Sequence, residues 1–549
     1  MKQYDIRRVS SIAAACILTA ASLTSCGDGS DSPYSSYKAD NSSAGENYNY
    51  SYETADEAEE EYYGGYYEPV IPSYPSQNEE YHGYTESGFH DAETEPLSTF
   101  SADADTASYS NARRLLEDGM IVPEDAVRIE EFINYFDYSY PDPESGVFGE
   151  YVTLADCPWN ASTKLMQIGI QGTRMDEEEA PPLNLVFLID SSGSMSSYDK
   201  LPLVQTAFTM LAENLSEDDR ISIVTYAGSS CTLIEGADGS RRDDIVEALY
   251  SITASGGTNG EGGIETAYEL AEEYFIKGGS NRVILATDGD LNIGASSESE
   301  LTRLIEKKRE SGIYLSVLGF GTGNLKDNKL EALADNGNGT YSYIDSVEEA
   351  RRVLVEEMGG DLCTIAKDVK IQVEFNPSQI KSYRLVGYDN RLMEAEDFFD
   401  TEKDAGEVGA GHSVTALYEV ELANGTDDGT YHGIELEFAD QHTQPLENRT
   451  ADTSDRQELC KVSVTYKDID TDESVYISEL FGMERYTAAP DERMQLAAAA
   501  AELGMLLRSS EYSGSSSYSY VIKTAEAVAD RFSRAEELAE LAAAAERLD

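Results

Sequence analysis

Positive charge is scarce in this chain. Its 549 residues include 40 Lys and Arg against 104 Asp and Glu, for a formal net charge of -64 and a sequence pI of about 4.2. A surface of that sign repels phosphate backbones, which argues against nucleic acid as a partner and suits a soluble, cation-attracting chain. Histidine is scarcer still. His82, His90, His412, His432 and His442 are scattered and form no HExxH pair, so a zinc hydrolase has no support. The six cysteines (Cys16, Cys26, Cys157, Cys231, Cys363 and Cys460) contain no CxxC spacing, which removes zinc ribbons and thioredoxin-like motifs. The last four stand far apart and fit either disulfides or free buried thiols. Neither G-x-x-x-x-G-K-[ST] nor G-x-S-x-G occurs, so a P-loop and a serine-hydrolase elbow have no basis. Beyond the N-terminus no stretch reaches the roughly 18 apolar residues of a membrane-spanning helix.

What is there begins with an address. Lys2, Arg7 and Arg8 precede an apolar run over 12–18, the layout of a secretory signal peptide. It ends in Leu23-Thr24-Ser25-Cys26, which resembles a bacterial lipobox. The resemblance implies cleavage before Cys26 and lipid attachment to its sulfur. Several acyl chains together anchor a protein firmly, whereas one binds marginally. The expectation is a signal peptide over 1–26 and a lipid-anchored chain on the extracytoplasmic face of a bacterial membrane. Residues 27–95 are dominated by Ser, Tyr, Glu, Asp, Asn and Gly without apolar periodicity, and read as a disordered acidic tether. A sticky contact of the tyrosines with cell-wall glycans is the alternative for that segment.

Order is expected from residue 96. Over 96–182 the pattern gives helices at 105–116 and 126–136, then strands at 150–154 and 164–170. Over 183–358 strands alternate with helices. Strands fall at 185–189, 221–226, 283–286, 313–318 and 341–344, with helices at 200–215, 243–252, 263–275, 299–311, 325–334 and 347–358. The continuous apolar run Leu185-Val186-Phe187-Leu188-Ile189 suits a parallel sheet covered on both faces. This is an α/β, doubly wound, Rossmann-like domain with a mainly parallel sheet. Over 361–485 the pattern is all-β, with strands at 369–375, 383–387, 414–422, 434–438, 462–466 and 475–480. Over 490–549 it returns to helix, at 494–507 and 523–548. Strands flank the α/β unit on both sides, so the economical arrangement is one β-sandwich built from both flanks with the α/β domain inserted.

Three pieces carry chemistry. Asp190-Ser191-Ser192-Gly193-Ser194 ends the first α/β strand as D-x-S-x-S. Gly256-Gly257-Thr258-Asn259 precedes a helix. Asp288-Gly289 ends the strand at 283–286. All three fall beyond the carboxyl ends of strands, where open α/β sheets bind ligands. Mg²⁺ prefers about six hard oxygens. Ser192, Ser194 and Thr258 offer neutral hydroxyls, and Asp190 and Asp288 supply limited negative charge. A cation held mainly by neutral oxygens seeks one more anionic ligand, and a partner's Asp or Glu fits. Asp and Ser are also common at strand ends as helix caps, and any one piece alone would read that way.

These five residues resemble the metal-ion-dependent adhesion site of von Willebrand factor type A (VWA) domains, as in integrins. Further stretches, among them Phe132-Ile133-Asn134-Tyr135-Phe136, Cys157-Pro158-Trp159-Asn160, Leu285-Ala286-Thr287-Asp288-Gly289-Asp290 and the run from Gly409 to Glu419, resemble bacterial lipoproteins of the YfbK-like type. The resemblance implies Mg²⁺ at the site (Mn²⁺ or Ca²⁺ in its place) and a protein ligand bearing an exposed Asp or Glu. Two other classes stay open: a structural scaffold whose site is filled from within the chain, and an accessory subunit of a cell-envelope enzyme complex. No nucleophile–base pair is visible, so intrinsic catalysis is not expected. Gly319-Phe320-Gly321-Thr322-Gly323 is a poor dinucleotide loop because its third glycine is misplaced. Asp468-x-Asp470-x-Asp472 resembles a calcium loop but reads better as a hairpin turn, because strands flank it and Glu473 replaces the turn glycine.

Overall fold

The computed structural model describes residues 73–102, 105–175, 180–289, 298–357, 362–423, 458–469 and 471–549. The expected signal peptide, Cys26, the tether up to residue 72 and the strand expected at 434–438 lie outside them. The chain opens with β1 (His90–Asp91), β2 (Leu97–Ser101), α1 (Ala107–Glu117), α2 (Ile129–Asn134), β3 (Phe148–Asp156) and β4 (Lys164–Gly172). Next come β5 (Leu183–Asp190), α3 (Leu201–Glu213), β6 (Arg220–Tyr226), β7 (Ser230–Ala237), α4 (Arg242–Ser251), α5 (Gly260–Glu273), β8 (Ser280–Thr287), α6 (Glu298–Arg309), β9 (Tyr314–Phe320), α7 (Asp327–Asn336), β10 (Tyr341–Ile344) and α8 (Val347–Arg351). The rest is β11 (Thr364–Phe375), β12 (Ile380–Val386), β13 (Leu392–Met393), β14 (Gly406–Gly409), β15 (Ser413–Leu422), β16 (Glu458–Asp468), β17 (Ser474–Gly482), β18 (Tyr486–Thr487), α9 (Glu492–Leu507), α10 (Tyr518–Val528) and α11 (Ala535–Leu548).

The α/β unit has the sheet order β10-β9-β8-β5-β6-β7. Every pairing is parallel except β6 with β7. Alternate residues of β5 go to opposite faces. Leu185, Phe187 and Ile189 join one core, where the Phe187 and Phe208 rings stack at 4.2 Å. Val186 and Leu188 join the other, with Ile264 and Tyr268 of α5. Two-sided burial explains the uninterrupted apolar run. β7 was not expected from the sequence. It is an antiparallel edge strand with Cys231 and Leu233 exposed, so its apolar signal is weak. The helix expected at 347–358 is α8 followed by a π-helical turn over Arg352–Glu356.

The strands on either side of this unit interleave. One sheet runs β1-β12-β15-β4-β3-β18, the other β13-β2-β11-β16-β17 with β14 beside β11. β4 pairs with β15, and β2 with β11, so each sheet takes strands from both flanks. The sheets share a core. Met166, Ile168 and Ile170 of one lie in the same cluster as Ile371, Val373, Val462 and Val464 of the other. Full burial of each such side chain is worth about 1.5–3 kcal/mol. This is the sandwich with an inserted domain that the flanking strands implied. The opposite face of β4 meets helices. Leu165 packs into the helical cluster, and Gly169 leaves room for the Tyr140 ring, which an added Cβ would meet at 2.3 Å. α9 sits inside that layer with Ala497 to Ala501 all buried, as expected of a helix apolar on every side. The sequence reading of one helix over 523–548 is corrected to two. The chain turns after Val528, buries Phe532 and sends α11 back against α10. No Pro or Gly marks that turn.

The tether boundary is also corrected. Residues 73–95, expected to be disordered, lie along the folded body. Ile121 donates its N–H to Ser73 O at 2.8 Å, and Glu80 forms a parallel bridge with Lys326. The nearly buried Glu79 carboxylate accepts from Arg114 at 3.0 Å and from the Gly323 N–H at 2.8 Å. A polar, Tyr-rich composition hides this order because the segment is held by backbone bonds and ion pairs rather than by an apolar face. Among the described residues, no helix is long and apolar enough to cross a membrane.

Candidate metal centre

The site is a product of strand register. β5 pairs Ile189 with Ala286 of β8 and Asp190 with Tyr226 of β6. Asp190 therefore ends its strand between Tyr226 and Thr287. The chain moves from β5 to β6 on one side and later returns to place β8 on the other, so β5 and β8 form the topological switch point of the sheet. Ligands of open α/β sheets sit outside the carboxyl ends at such a point. Four of the five candidates, Asp190, Ser192, Ser194 and Asp288, follow directly from these two strand ends.

Asp190 is fully buried. One carboxylate oxygen accepts the Ser192 N–H at 2.8 Å; the other receives only long contacts from the hydroxyls of Thr287, 3.3 Å, and Tyr226, 3.4 Å. Among the described residues these hydrogen-bond partners are all neutral. Burial pushes the Asp190 carboxyl up to about 6; the Asp288 charge adds to this, and hydrogen bonds from Ser192 oppose it. Ser192 and Ser194 bring their hydroxyl oxygens within 2.9 Å of each other. The loop before α5 is tied to the same place by Gly193 N–H to Gly256 O at 3.1 Å and Ser255 N–H to Ser191 O at 2.8 Å. Thr258 follows that anchor by two residues and is partly exposed. Asp288 is buried and ion-paired with the Lys200 ammonium at 2.8 Å.

This donor set fits a small divalent cation. Adjacent hydroxyls and a buried carboxylate with a poorly satisfied oxygen are hard oxygen ligands awaiting positive charge. A group of carboxylates elsewhere, Asp105, Glu131 and Glu331, does not behave this way. Arg128 and Arg391 lie among these acids, and each of the three is already ion-paired with at least one of these arginines. Asp468 and Glu473 face each other where β16 leads to β17, with Asp468 N–H bonded to Glu473 O at 3.0 Å.

Sequence reading missed Lys200 and Gly321. A lysine ahead of a helix ordinarily reads as solvated, whereas the Lys200 side chain is 8% exposed. Gly321 has φ +72°, and a Cβ there would lie 2.2 Å from Lys200 Cγ. Among the described residues Cys157, Cys231, Cys363 and Cys460 are free thiols, and all but Cys231 are buried.

The family description "von Willebrand factor type A domain" matches residues 184–356, "von Willebrand factor" matches 75–167, and "Uncharacterized protein YfbK, C-terminal" matches 360–548. The match beginning at 75 agrees with the ordered segment ahead of β1. YfbK of Escherichia coli K12 is 41% identical over 435 residues, covering 78% of this chain and 73% of its own length. Protein sll0103 of Synechocystis is 29% identical over 192 residues, covering 34% of this chain and 44% of its own. The solved structure of a von Willebrand factor type A protein from Catenulispora acidiphila is 14% identical, covers 73% of this chain and 91% of that one, and has a TM-score of 0.41. The chain belongs to the YfbK family of VWA-domain proteins, its VWA domain inserted in a β-sandwich that the family's C-terminal region completes.

Proposed function

We propose that this protein is a membrane-anchored lipoprotein that binds a protein partner through a divalent metal, Mg²⁺ by the hardness of its ligands. Asp190, Ser192, Ser194, Thr258 and Asp288 would hold the ion. The ion would supply Lewis acidity toward a carboxylate oxygen from an Asp or Glu of the partner. The observation that carries the reading is the contrast inside the site: a fully buried Asp190 with only neutral partners, beside two hydroxyls 2.9 Å apart. The protein side of the task is then positional. Strand register fixes Asp190 and Asp288, and the pinned loops fix the hydroxyls. Tyr198, 88% exposed in the loop between Ser194 and α3, offers the partner an aromatic contact, a residue type favoured in interfaces. The protein has no catalytic role in this reading.

Cell-surface cross-linking with and without EDTA, comparing wild type with Asp190→Ala, tests the partner. Partners lost in both EDTA and the variant support the reading. Partners indifferent to both sink it and favour a scaffold. Anchoring rests on the lipobox-like Leu23-Thr24-Ser25-Cys26. Cells labelled with a palmitate analogue should lose label on Cys26→Ala; label retained by that variant would rule the anchor out.

A further inference from the structure

We infer that Lys200 is a built-in counter-charge that keeps the metal centre under-neutralised, so that an outside carboxylate, not the chain itself, completes it. The inference rests on the metal reading above and deepens it. Lys200 precedes α3: its carbonyl already accepts the N–H of Val204 at 2.9 Å, so it stands at the helix N-terminus. A cation is disfavoured there by the helix dipole, and burying an ammonium is costly unless it is paired. The structure nevertheless buries it, 2.8 Å from Asp288 Oδ2, with the two side chains 8% and 0% exposed. Its aliphatic stem occupies the space over Gly321, where a Cβ would come within 2.2–2.8 Å of Cγ, Cε and Cδ and where the backbone φ is +72°. The loop carrying Gly321 is itself held. The Thr322 N–H donates to Asp199 at 3.1 Å, and the Tyr343 hydroxyl donates to Gly321 O at 2.8 Å. Lys200 thus has a slot, not a chance contact.

Charge counting gives the consequence. Asp190 and Asp288 together would neutralise a divalent ion fully. With Lys200 on Asp288 the described charged side chains of the centre sum to one negative, and a bound divalent ion leaves one positive. One external carboxylate brings that to zero. In a poorly solvated site such a difference is worth at least about tenfold in affinity. Lys200 is therefore a positioning residue. It weakens the hold on the metal and strengthens the metal's hold on an anion.

The test is calorimetric titration of Mn²⁺ into the full chain, followed by acetate titration of the Mn²⁺-loaded protein read by water-proton relaxation. Lys200→Met should bind Mn²⁺ about tenfold more tightly and the loaded protein should bind acetate about tenfold more weakly. Lys200→Met/Asp288→Asn restores the single negative charge and should fall near wild type. Asp288→Asn alone should bind Mn²⁺ most weakly of the four. The double variant removes both members of the Lys200–Asp288 pair and so strands neither charge, and it carries the test if Lys200→Met does not fold. A folded Lys200→Met with unchanged or weaker Mn²⁺ binding, or a double variant as weak as Asp288→Asn, overturns the inference while leaving the metal centre intact. Wild-type Mn²⁺ affinity in Asp190→Ala overturns both.

Discussion

Glu419 in the sandwich and Asp190 in the inserted domain are both buried carboxylates, and the chain treats them in opposite ways. Glu419 on β15 receives Trp159 Nε1 at 3.1 Å, Asn160 Nδ2 at 2.6 Å, the Thr163 hydroxyl at 2.8 Å and Arg384 at 3.1 Å. Four donors, one of them a cation, satisfy both oxygens. The Cys157-Pro158-Trp159-Asn160 stretch and Glu419 are thus two ends of one knot, joining the loop after β3 to a strand from the far side of the insertion. Asp190 has one short bond and two long ones, all from neutral groups. A carboxylate whose needs are met holds a structure together. One left short of charge, at a sheet's carboxyl edge, suits the metal-holding role proposed for it.

Glu419→Ala strands Arg384 without a counter-ion, and a buried pair broken on one side costs about 3–5 kcal/mol. Urea unfolding followed by the fluorescence of Trp159, the single tryptophan, should show that loss. A cost under about 1 kcal/mol would erase the distinction between the two carboxylates.

Asp190 should respond to pH instead. Its carboxyl rises from 3.8 to about 6 on folding. The folded state therefore binds the proton more tightly, and metal-free stability should fall as pH rises from about 4 to 6, by up to about 3 kcal/mol. Asp190→Asn should flatten that slope in melting curves taken across this range. An unchanged slope would place the penalty on other groups.

Asp190→Ala should weaken Mg²⁺ or Mn²⁺ binding about a hundredfold, close to 2.7 kcal/mol, without the large stability loss of Glu419→Ala. Calorimetry and thermal melts on the same samples separate the two effects. The smallest change is Gly321→Ala. Its φ of +72° and the Lys200 stem both oppose a Cβ, so about 1–2 kcal/mol of destabilisation is expected in denaturant melts. No measurable change would mean that the Lys200 slot is loose.

Much of this was legible in the residues. The apolar run of β5 identifies the parallel sheet, because two-sided burial leaves a compact local signature, and the D-x-S-x-S behind it marks the edge for which the metal centre is proposed. The sandwich was legible only as a bookkeeping of strands on either side of the insertion. What escaped depends on contacts distant in sequence. Lys200 and Gly321 look ordinary until the residue before α3 and the residue after β9 meet. Residues 73–95 lack the apolar pattern that marks order, yet Glu79 is nearly buried against Arg114. β7 hid because Cys231 and Leu233 face outward on an edge strand.

The insertion also dictates an order of assembly. β2, β3 and β4 are made before the VWA domain, yet their partners β11 and β15 are made after it. The inserted domain brackets its own sheet and can close once β10 has been synthesised. The β3–β4 hairpin must meanwhile wait with its sandwich face uncovered, Met166, Ile168 and Ile170 lacking the strands made later. Long-range strand pairing is slow, and exposed apolar surface invites aggregation while it waits. A chain released before β15 would hold a folded VWA domain on an unfinished sandwich, a natural client for a chaperone.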